Sequence, residues 1–480
     1  MTTVEAPAPR ARTAGSARAH RAEAYRPGRH VRVDAGVRTL TTLAPTAAIG
    51  LPAYWWAVDG GLHDLISGAT AFTSLGRLTG LVASVLLLVQ VLLMARIPVV
   101  ERAWGQDRLT RLHRIVGFTS FTLLMAHIAL ISVGYAAGSL LQAPGMWWTL
   151  TLNSPGMLLA TAGTLFLCLV VATSIRAARR RLRYESWHLL HLYAYLGAGL
   201  VLPHQLWTGA QFLNRPGATV FWWSLWGAAA GAVVLWRIAL PLARSVRHDL
   251  RVTSVVRESE DTVSVYVTGR RLDRLRTLPG QYFHWRFLQG SGWTRANPYS
   301  ISSAPDGRSL RVTAQVVGDG SRRLAQVRPG TRVLAEGPYG RLTERARTRP
   351  RVLLIGAGSG LGPIRSLAEG LDYAPGQAML LARGHDAVPF ADELEALTQE
   401  RGLEVGVLAG PRRAADSWLP SLPGLPAQID DARAVLGWVP DLRDRDVYVC
   451  GPDAWMDVVR RSLLAAGLPP AQFHHESFSW

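Results

Sequence analysis

Lysine is missing from this chain. All 52 basic residues among its 480 are arginine, set against 34 acidic ones for a formal charge of +18. Cysteine is nearly missing too: Cys168 and Cys450 lie in different regions, so no disulfide framework is indicated. A positive charge of this size marks a nucleic-acid binder when it gathers on one soluble face. Here the arginines fall in short runs beside apolar segments, where the preference of basic residues for the inner side of a membrane accounts for them. No nucleic-acid partner is expected. Residues 1–38 hold eight arginines, with alanine and proline and no apolar run. They match neither a cleavable signal peptide nor a core-forming segment and are expected to form a disordered cytoplasmic arm. A nucleic-acid-binding tail is the weaker alternative.

Apolar sequence is what the chain has in abundance. Hydrophobic residues make up 49% of it, concentrated in the first half. Six segments, 41–58, 75–95, 115–135, 156–175, 187–206 and 220–240, approach the roughly 20 residues that cross a hydrocarbon core. The first is interrupted by Pro45 and Pro52 and has an interfacial helix as its alternative. One set of connections carries Arg96, Arg102, Arg108, Arg111 and Arg114, then Arg176, Arg179, Arg180, Arg181 and Arg183, then Arg244 and Arg247. The opposite set is nearly bare, with Asp59, His63 and Asp64 in one loop, no charge over 134–155, and Arg215 in the last. This asymmetry predicts a multi-pass protein in the bilayer of the cell membrane, with both termini cytoplasmic.

Within those segments stand two pairs of histidines. His113 and His127 are 14 residues apart, and His191 and His204 are 13 apart. Either spacing separates two imidazoles by roughly 20 Å along a helix axis. Both helices run outward in the predicted topology, so His113 and His191 lie near the inner face and His127 and His204 near the outer one. An ionisable side chain inside a membrane is costly and usually functional. Four interhelical hydrogen-bonding histidines are the bland alternative. Two matched pairs point instead to two stacked haems, each with two axial imidazoles. At 100° per residue, His127 returns to within about 40° of the His113 face, whereas His204 falls about 140° from His191. Pro203 offers a cause for local unwinding, so irregular helix is expected there. His188 competes as an inner ligand or serves as a neighbouring contact. Trp187, Trp207, Trp222 and Trp223 read as interfacial anchors.

From His248 the pattern changes. Strands are predicted over 251–256, 262–269, 281–287, 311–317 and 331–335, separated by Gly, Pro and Asp turns, as in a small antiparallel barrel. After Pro350 strands and helices alternate: strand 352–355, helix 364–369, strand 379–381, helix 392–399, strand 447–449, helix 454–466. That is an open α/β nucleotide-binding layer. The predicted chain is therefore multi-domain. The arm over 1–38 precedes an all-α six-helix transmembrane bundle over 39–242. An antiparallel β-barrel domain over 247–345 and an α/β Rossmann-like domain over 350–480 follow.

Inside the barrel, Arg295, Asn297, Pro298, Tyr299 and Ser300 stand in one short stretch. Arg295 offers a planar fork to a pyrophosphate, Tyr299 a face for an aromatic ring and Ser300 a hydrogen bond to its edge. The neighbouring segments 278–282, 318–321 and 336–340 make the combination more specific than an ordinary strand with a solvated arginine. Gly356, Gly358, Gly360 and Gly362 line a turn between strand and helix, where backbone N–H groups approach a diphosphate. Leu361 departs from the strict glycine spacing. Cys450, Gly451 and Pro452 end a later strand, at the carboxyl edge where such sheets bind ligands.

Together these residues resemble the ferric reductase and NADPH oxidase superfamily, with its ferredoxin–NADP reductase-like flavin and nucleotide domains. The likeness covers about residues 40–480. It implies that His113, His127, His191 and His204 ligate two b-type haems and that Arg295, Asn297, Pro298, Tyr299 and Ser300 bind FAD, with Gly320 and Ser321 near its pyrophosphate. Gly356, Gly358, Gly360, Gly451 and Pro452 would then bind NAD(P)H, with Cys450 near the nicotinamide, while Glu476, Phe478 and Trp480 match the terminal segment that covers the flavin. Two residues depart from the family pattern. Asn297 stands where the oxidases have histidine, and Gly362 where they have threonine or serine. No calcium-binding hands precede the membrane part, so calcium control of that kind is not expected.

The function implied is transmembrane electron transfer from cytoplasmic NAD(P)H through FAD and two haems to an external acceptor. Moving negative charge outward is assisted by an inside-negative potential, at about 2.3 kcal/mol per charge per 100 mV. Arg383, after the second nucleotide-layer strand, is a candidate for the 2′-phosphate of NADPH, tilting the choice modestly from NADH to NADPH, with an exposed arginine capping the strand as the alternative. Short outer loops fit dioxygen, reduced to superoxide. A ferric chelate is the alternative, with Arg215 and His63 as anion contacts. Two further readings stay open: a haem relay to a partner protein, and a flavin reductase merely tethered by its helices.

Overall fold

The computed structural model describes residues 29–66, 68–182, 184–209, 215–290, 292–385, 388–422, 426 and 428–476. Its first half is helical: α1 (Arg29–Trp56), α2 (Gly68–Met94), α3 (Pro98–Trp104), α4 (Gln106–Tyr135), α5 (Ala143–Asn153), α6 (Met157–Ser174), α7 (Tyr184–Thr208) and α8 (Pro216–His248). Four stretches are long and apolar enough to cross a membrane: Thr70–Met94, Gln106–Tyr135, Met157–Ser174 and Pro216–His248. At 28 and 25 residues α1 and α7 have the length, but prolines and threonines in α1 and polar residues in α7, among them His188, His191, His204 and Gln205, dilute their apolarity.

Three expectations for this half are corrected. Residues 29–38, assigned to the arm, belong to α1, which carries Pro45 and Pro52 inside it; residues 1–28 lie outside the described residues. The uncharged connection between the third and fourth segments contains α5. And α7 runs as unbroken α-helix through Pro203. Proline there removes one donor, leaving the Gly199 carbonyl without its helical partner, a single loss that packing against a neighbour offsets. That neighbour is the turn into α6. A β-carbon on Gly156 would lie 2.8–3.0 Å from backbone atoms of Pro203 and His204.

Helix α2 packs along α4 and α6 along α7, while α4 and α7 make little direct contact. The two histidine-bearing helices are thus held by different partners, with space between them. A smaller core of Trp56, Leu81, Val85, Val89 and Trp222 ties α1, α2 and α8.

Next come β1 (Arg251–Arg257), β2 (Thr262–Thr268), β3 (Tyr282–Phe287), β4 (Asn297–Ser300), β5 (Ser309–Gln315), a short helix α9 (Asp319–Leu324) and β6 (Val333–Tyr339). They form two antiparallel three-stranded sheets, β1-β2-β5 and β4-β3-β6. Bridges Arg251–Arg332 and Ile301–Val312 join the sheets. Val263, Val265 and Val267 alternate inward to meet Phe283, Trp285 and Ile301 in one core. Strand β4 escapes sequence patterning because Pro298 argues against a strand, yet it pairs with β3 along its length.

The remainder is a five-stranded parallel sheet ordered β11-β10-β7-β8-β9. Its strands are β7 (Arg351–Ala357), β8 (Ala378–Arg383), β9 (Glu404–Leu408), β10 (Arg445–Cys450) and β11 (Phe473–Glu476). Helices α10 (Leu361–Gly370), α11 (Ala391–Arg401), α12 (Asp431–Trp438) and α13 (Asp453–Ala465) cover it. Burial on both faces makes the strands near-continuous apolar runs: Leu353 and Ile355 enter one core, Val352 and Leu354 the other. Arg311 of β5 grips Glu393 of α11 through two hydrogen bonds, at 2.7 and 3.0 Å, fastening this layer to the preceding sheets.

Candidate functional site

His113 and His127 sit on α4, and His191 and His204 on α7. The rings of His113 and His191 face each other with centroids 6.0 Å apart. Two imidazoles bound to one metal from opposite sides, at about 2 Å per bond, have centroids roughly 6 Å apart. Every one of the four rings is anchored at Nδ1: His113 to the Gln90 carbonyl at 3.2 Å, His127 to the Gly76 carbonyl at 2.7 Å, His191 to Ser174 Oγ at 3.3 Å and His204 to Thr208 Oγ1 at 2.7 Å. A carbonyl accepts only, so His113 and His127 donate from Nδ1 and present Nε2 as a neutral lone pair. Among the described residues Nε2 has no hydrogen-bond partner in any of the four. Such anchoring of one nitrogen orients the other for a metal. The donor set fits haem iron. Glycine at position 80 makes room for the His127 ring, since a β-carbon there would lie 2.5 Å from His127 Nδ1.

His188 lies a turn before His191, among the charges of Arg237 and Arg286. Of the four tryptophans, Trp207 and Trp223 are exposed as anchors should be. Trp187 packs on the His191 ring at 5.0 Å. Trp222 corrects the expectation: it is buried and donates from Nε1 to Gln205 Oε1 at 3.2 Å.

In the flavin-type sheets, Asn297, Pro298, Tyr299 and Ser300 constitute β4. Ser300 Oγ is buried with no hydrogen-bond partner among the described residues, as a hydroxyl waiting for a ligand would be. A β-carbon on Gly320 would lie 2.7 Å from Asn297 Oδ1 and 3.4 Å from Tyr299 OH, so these three converge on one place. Arg295 stands in the turn before β4, its N–H donating to the Gly292 carbonyl at 3.0 Å. Ser321 does not point to a ligand: its hydroxyl accepts from the amides of Val317 and Gly318 and donates to the Gly318 carbonyl, all at 3.1 Å.

At the carboxyl edge of the parallel sheet, Gly356, Cys450 and Glu476 stand side by side on β7, β10 and β11. The glycine turn 358–360 leads into α10, with Gly358 in left-handed backbone at φ 54°. Gly451 and Pro452 follow Cys450. The Cys450 thiol is fully buried, which pushes its pKa well above the ordinary range and disfavours the nucleophilic thiolate. Arg383 corrects an expectation. Its guanidinium turns inward to the carbonyls of Trp418 (3.2 Å), Leu408 (3.0 Å) and Gly384, unavailable to a 2′-phosphate. Phe478 and Trp480 lie outside the described residues.

Glu476 is buried, and one carboxylate oxygen accepts from the amides of Arg341 at 2.9 Å and Leu342 at 3.2 Å. Burial pushes its pKa up to about 7. The folded protein therefore holds more protons than the unfolded chain between the ordinary glutamate value and about pH 7, and stability falls as pH rises through that window, levelling above it. At about 1.4 kcal/mol per unit, the loss is on the order of 3 kcal/mol. Glu476→Gln keeps an acceptor for both amides and is expected to flatten the slope. Thermal unfolding followed by tryptophan fluorescence at pH 5, 6, 7 and 8 measures this, and equal slopes in both proteins would refute it.

Sequence reasoning missed one cluster. Arg96, in left-handed backbone (φ 62°) after α2, is buried. It donates to Glu101 Oε1 at 2.9 Å, Tyr282 OH at 3.4 Å and His284 Nε2 at 2.9 Å. Arg96 had been counted only as an inner-loop charge, and nothing in the sequence links it to residues nearly two hundred positions away.

Over residues 79–202 the chain matches the family described as ferric reductase like transmembrane component. Its C-terminal half resembles ferredoxin reductase components. It is 30% identical over 239 residues to the ferredoxin reductase component of 3-ketosteroid-9-alpha-monooxygenase from Rhodococcus rhodochrous, covering 48% of this chain and 64% of that one. It is also 30% identical over 240 residues to the ferredoxin–NAD(+) reductase component of the alkene monooxygenase system of Xanthobacter autotrophicus, covering 48% and 70%. The chain thus spans 64–65% of the length of the 3-ketosteroid-9-alpha-monooxygenase components it matches. The FAD/NAD binding domain of nitric oxide dioxygenase from Vibrio cholerae O1 biovar El Tor aligns at 25% identity and TM-score 0.38, over 48% of this chain and 98% of that one.

Proposed function

Because this chain belongs to the ferredoxin reductase-like flavoproteins and carries a ferric reductase-like transmembrane component, we propose that it moves electrons across the cell membrane. The donor is cytoplasmic NAD(P)H, and the route is FAD and two b-type haems. The observation that carries this is the His113–His191 pair, facing at 6.0 Å from helices that otherwise make little contact. Six helices span the bilayer in this account, α1 and α7 among them, with both termini cytoplasmic. The flavin-type sheets close as a barrel over about 247–345, and the nucleotide layer fills 350–480.

When bound, a flavin would supply the chemistry that links two-electron hydride acceptance to one-electron release. The chain's residues arrange this. His113 and His191 would hold the inner haem and His127 and His204 the outer one, each ring oriented from Nδ1. Tyr299 and Ser300 hold the flavin, with Arg295, Asn297, Pro298 and Gly320 around them. Gly356, Gly358, Gly360, Gly451 and Pro452 seat the nicotinamide nucleotide, and buried Cys450 and Glu476 border its reactive end. With Arg383 committed to carbonyls, NADPH has no preference over NADH on that residue's account.

The proposed acceptor is dioxygen, giving superoxide. Supporting it, Arg215, the arginine of the last outer loop and one candidate contact for a ferric chelate's carboxylates, is paired with Asp59. Ferric-chelate reduction is the second reading. Mixing anaerobically reduced protein with oxygen or with ferric citrate tests the choice. Faster oxidation by oxygen, with a superoxide-dismutase-sensitive product, is expected. Faster oxidation by ferric citrate, with no such product, would make the protein a ferric-chelate reductase.

A further inference from the structure

At the inner end of the membrane helices one carboxylate joins two parts of the chain. Glu336, in β6, is 6% exposed. It accepts hydrogen bonds from Arg237 Nη1 at 3.1 Å and Tyr339 OH at 2.9 Å, and Arg286 stands 3.9 Å from its other oxygen. Arg237 belongs to a π-helical stretch of α8, Val233–Ala239, a widened turn of the kind that re-aims a side chain at functional positions. Further along the same helix, Arg244 Nη1 donates to the Gly337 carbonyl at 2.6 Å. From the far side the Arg96 guanidinium lies 4.5 Å from the centre of the Tyr339 ring. Segment 336–340 is thus gripped by arginines from two separate membrane-side elements. Removing one partner from a buried ion pair leaves the other without its compensation.

We propose that the Arg237–Glu336 pair is a positioning clasp: it fixes the flavin-type sheets against the membrane helices and so sets how fast electrons leave the flavin for the inner histidine pair. The proposal rests on the electron-transfer function above. Arg237 touches no reacting group. It acts through distance, because electron transfer between fixed centres weakens steeply as they separate. Hydride arrival from NAD(P)H occurs on the nucleotide side, remote from Arg237, and is unaffected by it.

The test uses the full-length protein in detergent, as Arg237→Glu, as Arg237→Gln and as the exchange Arg237→Glu with Glu336→Arg. Two quantities are read: the separate rates of flavin bleaching and haem reduction after mixing with NAD(P)H, and hydrogen exchange at the amides of Glu336, Gly337, Tyr339 and Gly340. In Arg237→Glu, haem reduction is expected to fall about tenfold or more with flavin bleaching unchanged, and the amides to lose protection, as removal of one partner of a buried pair requires. Arg237→Gln should fall between, and the exchange variant should recover most of both losses, since the interaction energy of a charge pair returns when the pair is restored. Wild-type rates and protection in Arg237→Glu, or an exchange variant no better than the single one, would overturn the clasp. Should the wild-type protein carry no haem, the electron-transfer function falls, and hydrogen exchange alone still upholds or overturns the clasp.

Discussion

Replacing His113 with leucine is expected to leave one haem per chain where the wild-type protein holds two, and to stop electrons at the flavin. Leucine fills a similar volume without a nitrogen to offer, and the Gln90 carbonyl that held the ring keeps its place on α2. The outer pair is untouched, because His127 stands roughly 20 Å further along α4. Electrons would then have to cross that length without the intermediate site. Haem reduction by NAD(P)H should fall at least about a hundredfold, or about 2.7 kcal/mol at 1.36 kcal/mol per decade, while flavin bleaching keeps its rate. The pyridine haemochrome assay gives the stoichiometry and stopped-flow absorbance the two rates. A variant with two haems and wild-type reduction would show that His113 is a hydrogen-bonding residue of the helix bundle.

Gly360→Val should separate nucleotide binding from everything downstream. A β-carbon at this position would lie 2.3 Å from the Cys450 carbonyl oxygen, 2.4 Å from its carbon and 2.6 Å from the Gly451 nitrogen. All three atoms are backbone of the segment leaving β10, a strand held on both sides by β7 and β11, so they cannot yield as a flexible side chain can. The glycine turn has to move outward and lose its seat for the diphosphate. Flavin reduction by NAD(P)H is expected to fall about a hundredfold or more, with the concentration for half-maximal rate rising. Dithionite, which needs no nucleotide site, should still reduce flavin and haem as in the wild type. Unchanged reduction by NAD(P)H would place the nucleotide elsewhere.

Much of this was legible in residue order. The alternation of strand and helix after Pro350, the glycine turn and the Cys450-Gly451-Pro452 ending are local signals, and the structure carries each on the element expected. The histidine spacings were legible because membrane burial makes a polar residue conspicuous. Long-range choices were not legible. Arg383 follows a strand as a phosphate-binding arginine would, but whether its guanidinium turns out or in depends on the carbonyls of Leu408 and Trp418, supplied by distant segments. Pro203 argued for a broken helix on local grounds, and the packing of Gly156 against its backbone decided otherwise. Arg96 looked like one more charge of an inner loop until Tyr282 and His284 came within reach of it.

In the proposed route α4 and α7 hold two haems which the reductase half fills with electrons. The most direct measurement is the absorption spectrum of the purified full-length protein, kept anaerobic, before and after NAD(P)H. Two low-spin b-type haems per chain, both reduced on addition, are predicted. Flavin bleaching with no haem bands would contradict it, leaving a flavin reductase anchored by its helices and four histidines that only pack and hydrogen-bond.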